Sequence, residues 1–109
     1  MNQRVPEISV EELKARLDRG EAVNILDVRE PNEVQICRIE GSTLIPLAQL
    51  PSRASELDPD QELIVHCKMG GRSAQAVAFL RQRGFSKTYN LAGGILAWID
   101  RVDPTQSKY

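Results

Sequence analysis

The 109 residues suit one domain, and 41% hydrophobic with 27% charged residues is the make-up of an ordinary globular chain able to bury a core without metal or disulfide staples. Fourteen Lys and Arg against fifteen Asp and Glu leave a formal net charge of -1, which excludes the general attraction of a basic chain for nucleic acid or an anionic membrane. Any anion site must be local.

In chain order, ISVEELKARLDRG opens with Ser9 as N-cap, Glu12 in the capping-box position and Ile8 able to staple to Leu13, and Gly20 closes the helix. AVNILDV is an apolar run of strand length. REPNEVQIC follows, with Pro31 at the first turn of a short helix. GSTLIPL is a short extended run ended by Pro46, AQLPSRASEL is weakly helical, DPDQ is a turn, and ELIVHC is a buried strand. From Ser73 to Arg83 the apolar residues Ala74, Ala76, Val77, Ala78, Phe79 and Leu80 predict a helix packed on most sides, with Gly84 after its end. KTYNL reads as a last strand, GGILAWIDRV as a last helix, and DPTQSKY as a polar tail expected to fray.

This alternation predicts an α/β domain with a mostly parallel sheet of about five strands and helices on both faces. The expected bounds are a lead-in over 1–7, the domain over 8–102 and a tail over 103–109. No apolar run is of bilayer-spanning length and the N-terminus lacks the apolar core of a secretion signal, so the chain reads as cytoplasmic, without membrane or nucleic-acid partners.

Ligands of such sheets bind beyond the C-terminal ends of the strands, where Cys67 lies. In IVHCKMGGRS, Gly70 and Gly71 permit backbone angles closed to other residues, so that successive N–H groups can form an anion-binding nest at the start of a helix. Lys68 and Arg72 add positive charge beside the sulfur, an environment of reactive rather than structural cysteines. Arg72 opposes the helix dipole at that position, so an anionic group is expected to compensate it. His66, next to Cys67 on a strand, points to the opposite face and reads as structural. Cys37 reads as a packing residue. Two cysteines and one histidine are too few for a structural zinc, and a reducing compartment disfavours a disulfide between them.

The segments ILDVREPNEV, IEGSTLIPL, IVHCKMGGRS and LAGGILAW together resemble the rhodanese, or sulfurtransferase, domain over Ile8 to about Val102. The resemblance implies that Cys67 takes a sulfane sulfur from thiosulfate or a protein persulfide, such as that of a cysteine desulfurase, and passes it to a nucleophilic acceptor. It assigns Lys68, Met69, Gly70, Gly71, Arg72 and Ser73 to the loop cradling the persulfide, and Asp27 and Arg29 to bracing the site. For Arg29, helix capping or a surface ion pair is an equal reading. Gly93 and Gly94 would make a tight start to the last helix, with Trp98 in the core. CRIEG departs from the pattern, since many members carry a histidine or similar residue there.

CKMGGRSAQAV and DRVDPTQSKY resemble more closely the C-terminal rhodanese domain of adenylyltransferase/sulfurtransferase proteins. This implies a small ubiquitin-like sulfur carrier as acceptor, a role in molybdopterin or related synthesis, possible fusion to an adenylyltransferase, and no cofactor or metal. Two alternatives stand: a non-catalytic rhodanese-like binding module, and a phosphatase or arsenate reductase of the same fold. The second calls for five residues between cysteine and arginine, where Lys68 to Gly71 make four.

Overall fold

The computed structural model describes residues 4–109. Five strands, β1 (Glu7–Ile8), β2 (Ile25–Asp27), β3 (Thr43–Leu44), β4 (Leu63–His66) and β5 (Thr88–Leu91), form one sheet in the order β1-β5-β4-β2-β3. Every pairing is parallel. The helices are α1 (Val10–Asp18), α2 (Pro31–Ile36), α3 (Leu50–Arg53, between two 3₁₀ turns), α4 (Gly71–Gln82) and α5 (Gly94–Arg101).

Alternating strand side chains build two cores. Ile8, Ile25, Ile64 and Leu91 pack with Val10 and Leu13 of α1 and with Ile95, Trp98 and Ile99 of α5. Leu26, Leu63 and Val65 pack with Leu50 of α3 and with Ala76, Val77 and Leu80 of α4. The doubly covered α/β sandwich expected from the sequence is therefore present, and β4, central in the sheet, is buried along its whole length.

Local signals account for the helix ends. Ser9 Oγ accepts from the Glu12 N–H at 3.0 Å, and Ile8 and Leu13 share one core as the staple requires. Pro31 opens α2, but its capping box is made by Glu30 and Glu33.

Several details differ from expectation. The edge strand β1 lies in and just after the segment read as a lead-in, because two residues carry too short a pattern to stand out from the helix they precede. Residues 1–3 of that lead-in lie outside the described residues. The helix α4 begins two residues before Ser73, and only Ser73, Ala76, Val77 and Leu80 on it are fully buried; Ala74, Ala78 and Phe79 are half-buried.

The C-terminal segment, read as a tail expected to fray, has partners on the folded surface. The Asp103 N–H donates to Trp98 O at 2.9 Å, Gln106 exchanges hydrogen bonds with both backbone groups of Arg38, and Lys108 pairs with Asp100. Its polar residues thus find partners on the folded surface that their composition alone does not reveal. Among the described residues, no helix is long and apolar enough to cross a membrane.

Candidate active site

The turn from β4 to α4 begins at Cys67 and is complete by Gly71. Gly70 stands at the helix N-cap with φ +111°, a conformation that disfavours side chains, whereas Gly71 is already helical. The expected special geometry thus belongs to Gly70 alone. Glycine brings no capping side chain, so the first-turn amides of α4 need another acceptor.

The sulfur supplies it. Cys67 Sγ accepts from the Gly70 N–H at 3.1 Å and from the Ser73 N–H at 3.4 Å, and lies 3.3 Å from Ser73 Oγ. Three groups therefore converge on one sulfur at the positive end of a helix dipole. Cys67 is 1% exposed, so the cradle is almost wholly screened from water.

Asn90, at the end of β5, fixes the cradle from the next strand. Its Oδ1 accepts from Ser73 Oγ at 2.5 Å and its Nδ2 donates to Gly70 O at 3.2 Å. With the Ser73 hydroxyl donating to Asn90, its oxygen presents a lone pair to the sulfur, an arrangement suited to receiving the S–H of a thiol.

The start of α5 closes the loop from below. Ile95 N–H donates to Cys67 O at 2.9 Å and Leu96 N–H to Lys68 O at 3.2 Å. This approach needs Gly94: a Cβ there would come within 2.5 Å of Lys68 O and 2.7 Å of Cys67 O. Gly94 does more than the tight helix start read for it. Trp98 is buried in the core, as expected.

The charged residues are tied together. Arg72 donates through Nη1 and Nη2 to the two carboxylate oxygens of Glu33 at 2.7 and 2.8 Å. The anion expected to compensate Arg72 is thus a residue of α2. Glu33 Oε2 also accepts from the Tyr109 hydroxyl at 2.6 Å, and Arg72 holds its carboxyl well below the usual range, at about 2. Lys68 Nζ lies 4.6 Å from the centre of the Tyr109 ring, while Met69 is exposed.

Asp27 and Arg29 form an ion pair that is buried rather than at the surface, which removes the surface reading of Arg29. Asp27 accepts from Arg29 N, Nε and Nη2 at 2.7 to 3.1 Å. Arg29 then donates to the carbonyls of Cys37 and Glu33 at 2.8 and 3.3 Å, so it secures the C-terminal end of α2 rather than capping its start. Burial opposes its charge, yet Asp27 and Tyr109 raise its pKa above the usual arginine value. Among the described residues no hydrogen bond joins the pair to Cys67; it holds α2, whose Glu33 in turn holds Arg72.

Cys37 is buried in the first core and His66 is wholly buried, as packing residues would be. Of the residues read from the sequence, Gly70 and Ser73 meet Cys67 Sγ, whereas Arg72 turns to Glu33 and Lys68 to the Tyr109 ring. The sequence reading did not single out Glu33, Asn90 or Tyr109, which only the tertiary fold places there.

Comparison with known proteins adds the lineage. The chain is 39% identical over 94 residues to a protein of Allochromatium vinosum named "Sulfurtransferase", covering 86% of this chain and 88% of that one. It is 38% identical over 104 residues to "Probable adenylyltransferase/sulfurtransferase MoeZ" of Mycobacterium tuberculosis, covering 94% of this chain but 26% of that protein. It spans 38% and 54% of two other curated relatives that it matches. Among solved structures, a rhodanese-like domain protein from Staphylococcus aureus superposes with a TM-score of 0.83 at 28% identity, covering 96% of this chain and 99% of that one. The model of the rhodanese-like domain matches residues 9–101, and with the parallel sheet and the cysteine loop at its centre this places the chain in the rhodanese-like domain family.

Proposed function

We propose that the protein is a sulfurtransferase in which Cys67 carries a sulfane sulfur as a persulfide. The observation that carries this reading is the convergence of the Gly70 and Ser73 amides on Cys67 Sγ at 3.1 and 3.4 Å. Such a cradle stabilises negative charge on sulfur, which both the attacking thiolate and the persulfide product bear.

In the first step Cys67 thiolate attacks the outer sulfur of thiosulfate. The new S–S bond forms as the old one breaks, and sulfite leaves with the electron pair. With a protein persulfide as donor, the leaving group is that protein's thiolate. In the second step an acceptor nucleophile attacks the outer sulfur and Cys67 leaves as thiolate. These steps call for no metal or organic cofactor.

The kinship with MoeZ supports a protein acceptor, the C-terminal glycine of a small ubiquitin-like sulfur carrier. Once adenylated it is an electrophile, so with this acceptor the outer sulfur of the persulfide attacks the glycine carbonyl and AMP leaves. A thiol reductant then cleaves the acyl disulfide to free the thiocarboxylate and the Cys67 thiolate. Molybdopterin synthesis is one pathway that such a carrier would serve. Asp27 and Arg29 act here as braces, and the residues from Lys68 to Ser73 shape the pocket for the outer sulfur.

Intact mass before and after incubation with thiosulfate tests the reading. The expected result is a gain of one sulfur atom, removed by cyanide and absent from Cys67→Ser. No gain in protein with a free Cys67 thiol would overturn it and favour a binding module.

A further inference from the structure

The transfer steps use the loop amides but leave the Arg72–Glu33 pair unassigned. Glu33 comes from α2 of the neighbouring strand-helix unit, 39 residues away in sequence, and its side chain is only 13% exposed. Four donors hold it: both arms of Arg72, the Tyr109 hydroxyl and the Glu30 N–H at 2.9 Å. So many contacts exceed what a casual surface ion pair makes.

The charges around the loop can be counted. Asp27 and Arg29 cancel as a buried pair, and Arg72 and Glu33 cancel at the loop, leaving Lys68 over the Tyr109 ring. Arg72 lies in the first turn of the helix that follows Cys67, so a carboxylate held on its guanidinium offsets the positive charge it brings to the loop. Among the described residues of the loop, a small dianion approaching Cys67 meets one unpaired cation, Lys68, where the sequence offers two.

We propose that Glu33 is a specificity-determining residue: by occupying both arms of Arg72 it weakens the attraction of the loop for small dianions such as thiosulfate, and favours sulfur donors that bear no concentrated negative charge beside the reacting sulfur. The donor preference deepens the sulfurtransferase reading and rests on it, whereas the electrostatic effect of Glu33 can be measured without sulfur transfer.

The probes are three alkyl methanethiosulfonates: sulfonatoethyl (anionic), methyl (neutral) and trimethylammonioethyl (cationic). In each, Cys67 thiolate attacks the sulfenyl sulfur, the S–S bond breaks, methanesulfinate leaves with the electron pair, and a mixed disulfide is read by intact mass. Cys67→Ser corrects for any reaction at Cys37. Glu33→Gln keeps a side-chain oxygen to accept from the Glu30 N–H and so preserves the cap of α2. The expected result is an anionic-to-neutral rate ratio raised by about five-fold, with the cationic-to-neutral ratio lowered and both shifts shrinking at high salt.

Arg72→Gln leaves Glu33 unopposed and is expected to move both ratios the opposite way, which decides the matter if the first variant folds poorly. Unchanged ratios, or equal changes for all three reagents, would overturn the proposal, the latter because access rather than charge had altered. Thiosulfate loading of the unaltered protein separates the two levels. Persulfide formation with unmoved ratios sinks the role of Glu33 alone, whereas moved ratios without any persulfide sink sulfur transfer and, with it, the donor preference.

Discussion

His66 shows how far one buried side chain can be constrained by its surroundings. Its Nδ1 lies 3.4 Å from Cys67 O, and its Nε2, 3.7 Å from Asp27 Oδ2, has no hydrogen-bond partner among the described residues. Burial pushes its pKa below the ordinary histidine value, with the Asp27 charge opposing that shift. The imidazole is therefore neutral at pH 7. Below pH 6.5 the unfolded chain takes up a proton that the folded chain refuses, so this residue costs stability as pH falls. Since it is the sole histidine, its ring protons in an NMR titration are expected to stay flat through pH 6.5; a midpoint there would show a ring open to water. Residues of this kind divide by sequence distance. Cys67, Gly70 and Arg72 were legible because a strand end, a glycine and a misplaced cation sit within six positions, whereas Glu33 meets Arg72 across 39 residues and Tyr109 meets Glu33 across 76.

Between elements, the contact of α5 with the cysteine loop admits no side chain. Gly94 has φ +62°, and an added Cβ would overlap the Lys68 carbonyl. Gly94→Ala is expected to cost about 1–3 kcal/mol in urea unfolding, through strain and overpacking together, and to slow sulfur loading of Cys67 by displacing the loop. Gly20→Ala is the control, because its φ of +79° is equally unfavourable while an added Cβ has nothing among the described residues within 4 Å. It should lose stability and keep its loading rate. Equal loading rates in both variants would mean that α5 does not set the loop. The pair Gly93–Gly94 was visible in the sequence as a helix start, but its partner, the backbone of residues 67 and 68, lies one strand-helix unit earlier and leaves no trace in local pattern.

At the scale of the molecule, the C-terminal segment links α5, α2 and the loop into one titrating unit. Glu33, held at about 2 chiefly by Arg72, contributes stability present above the usual carboxylate pKa near 4.5 and lost as pH falls from there toward 2. Tyr109, pushed up to about 12 mainly by burial, contributes stability present below pH 10 and lost between 10 and 12. Urea midpoints across pH should decline on both flanks, and Tyr109→Phe should flatten the alkaline flank; an unchanged alkaline flank would exclude that tie. The parallel sheet and its helices were readable because long apolar runs and caps repeat along the chain. The edge strand β1 and the docked tail were not, since two residues and a polar segment acquire their places only from partners elsewhere.

The backbone bonds from Ile95 and Leu96 to the carbonyls of Cys67 and Lys68 bear on how the chain could be divided. The thiol's setting is assembled from three separate stretches: the loop and first turn of α4, Asn90, and the start of α5. A cut between Ala92 and Gly93 would leave one fragment with the cysteine and its strand, and the other with the helix that fixes them. Neither fragment alone would hold the cradle, so recovery of sulfur loading on mixing the two would report their reassembly.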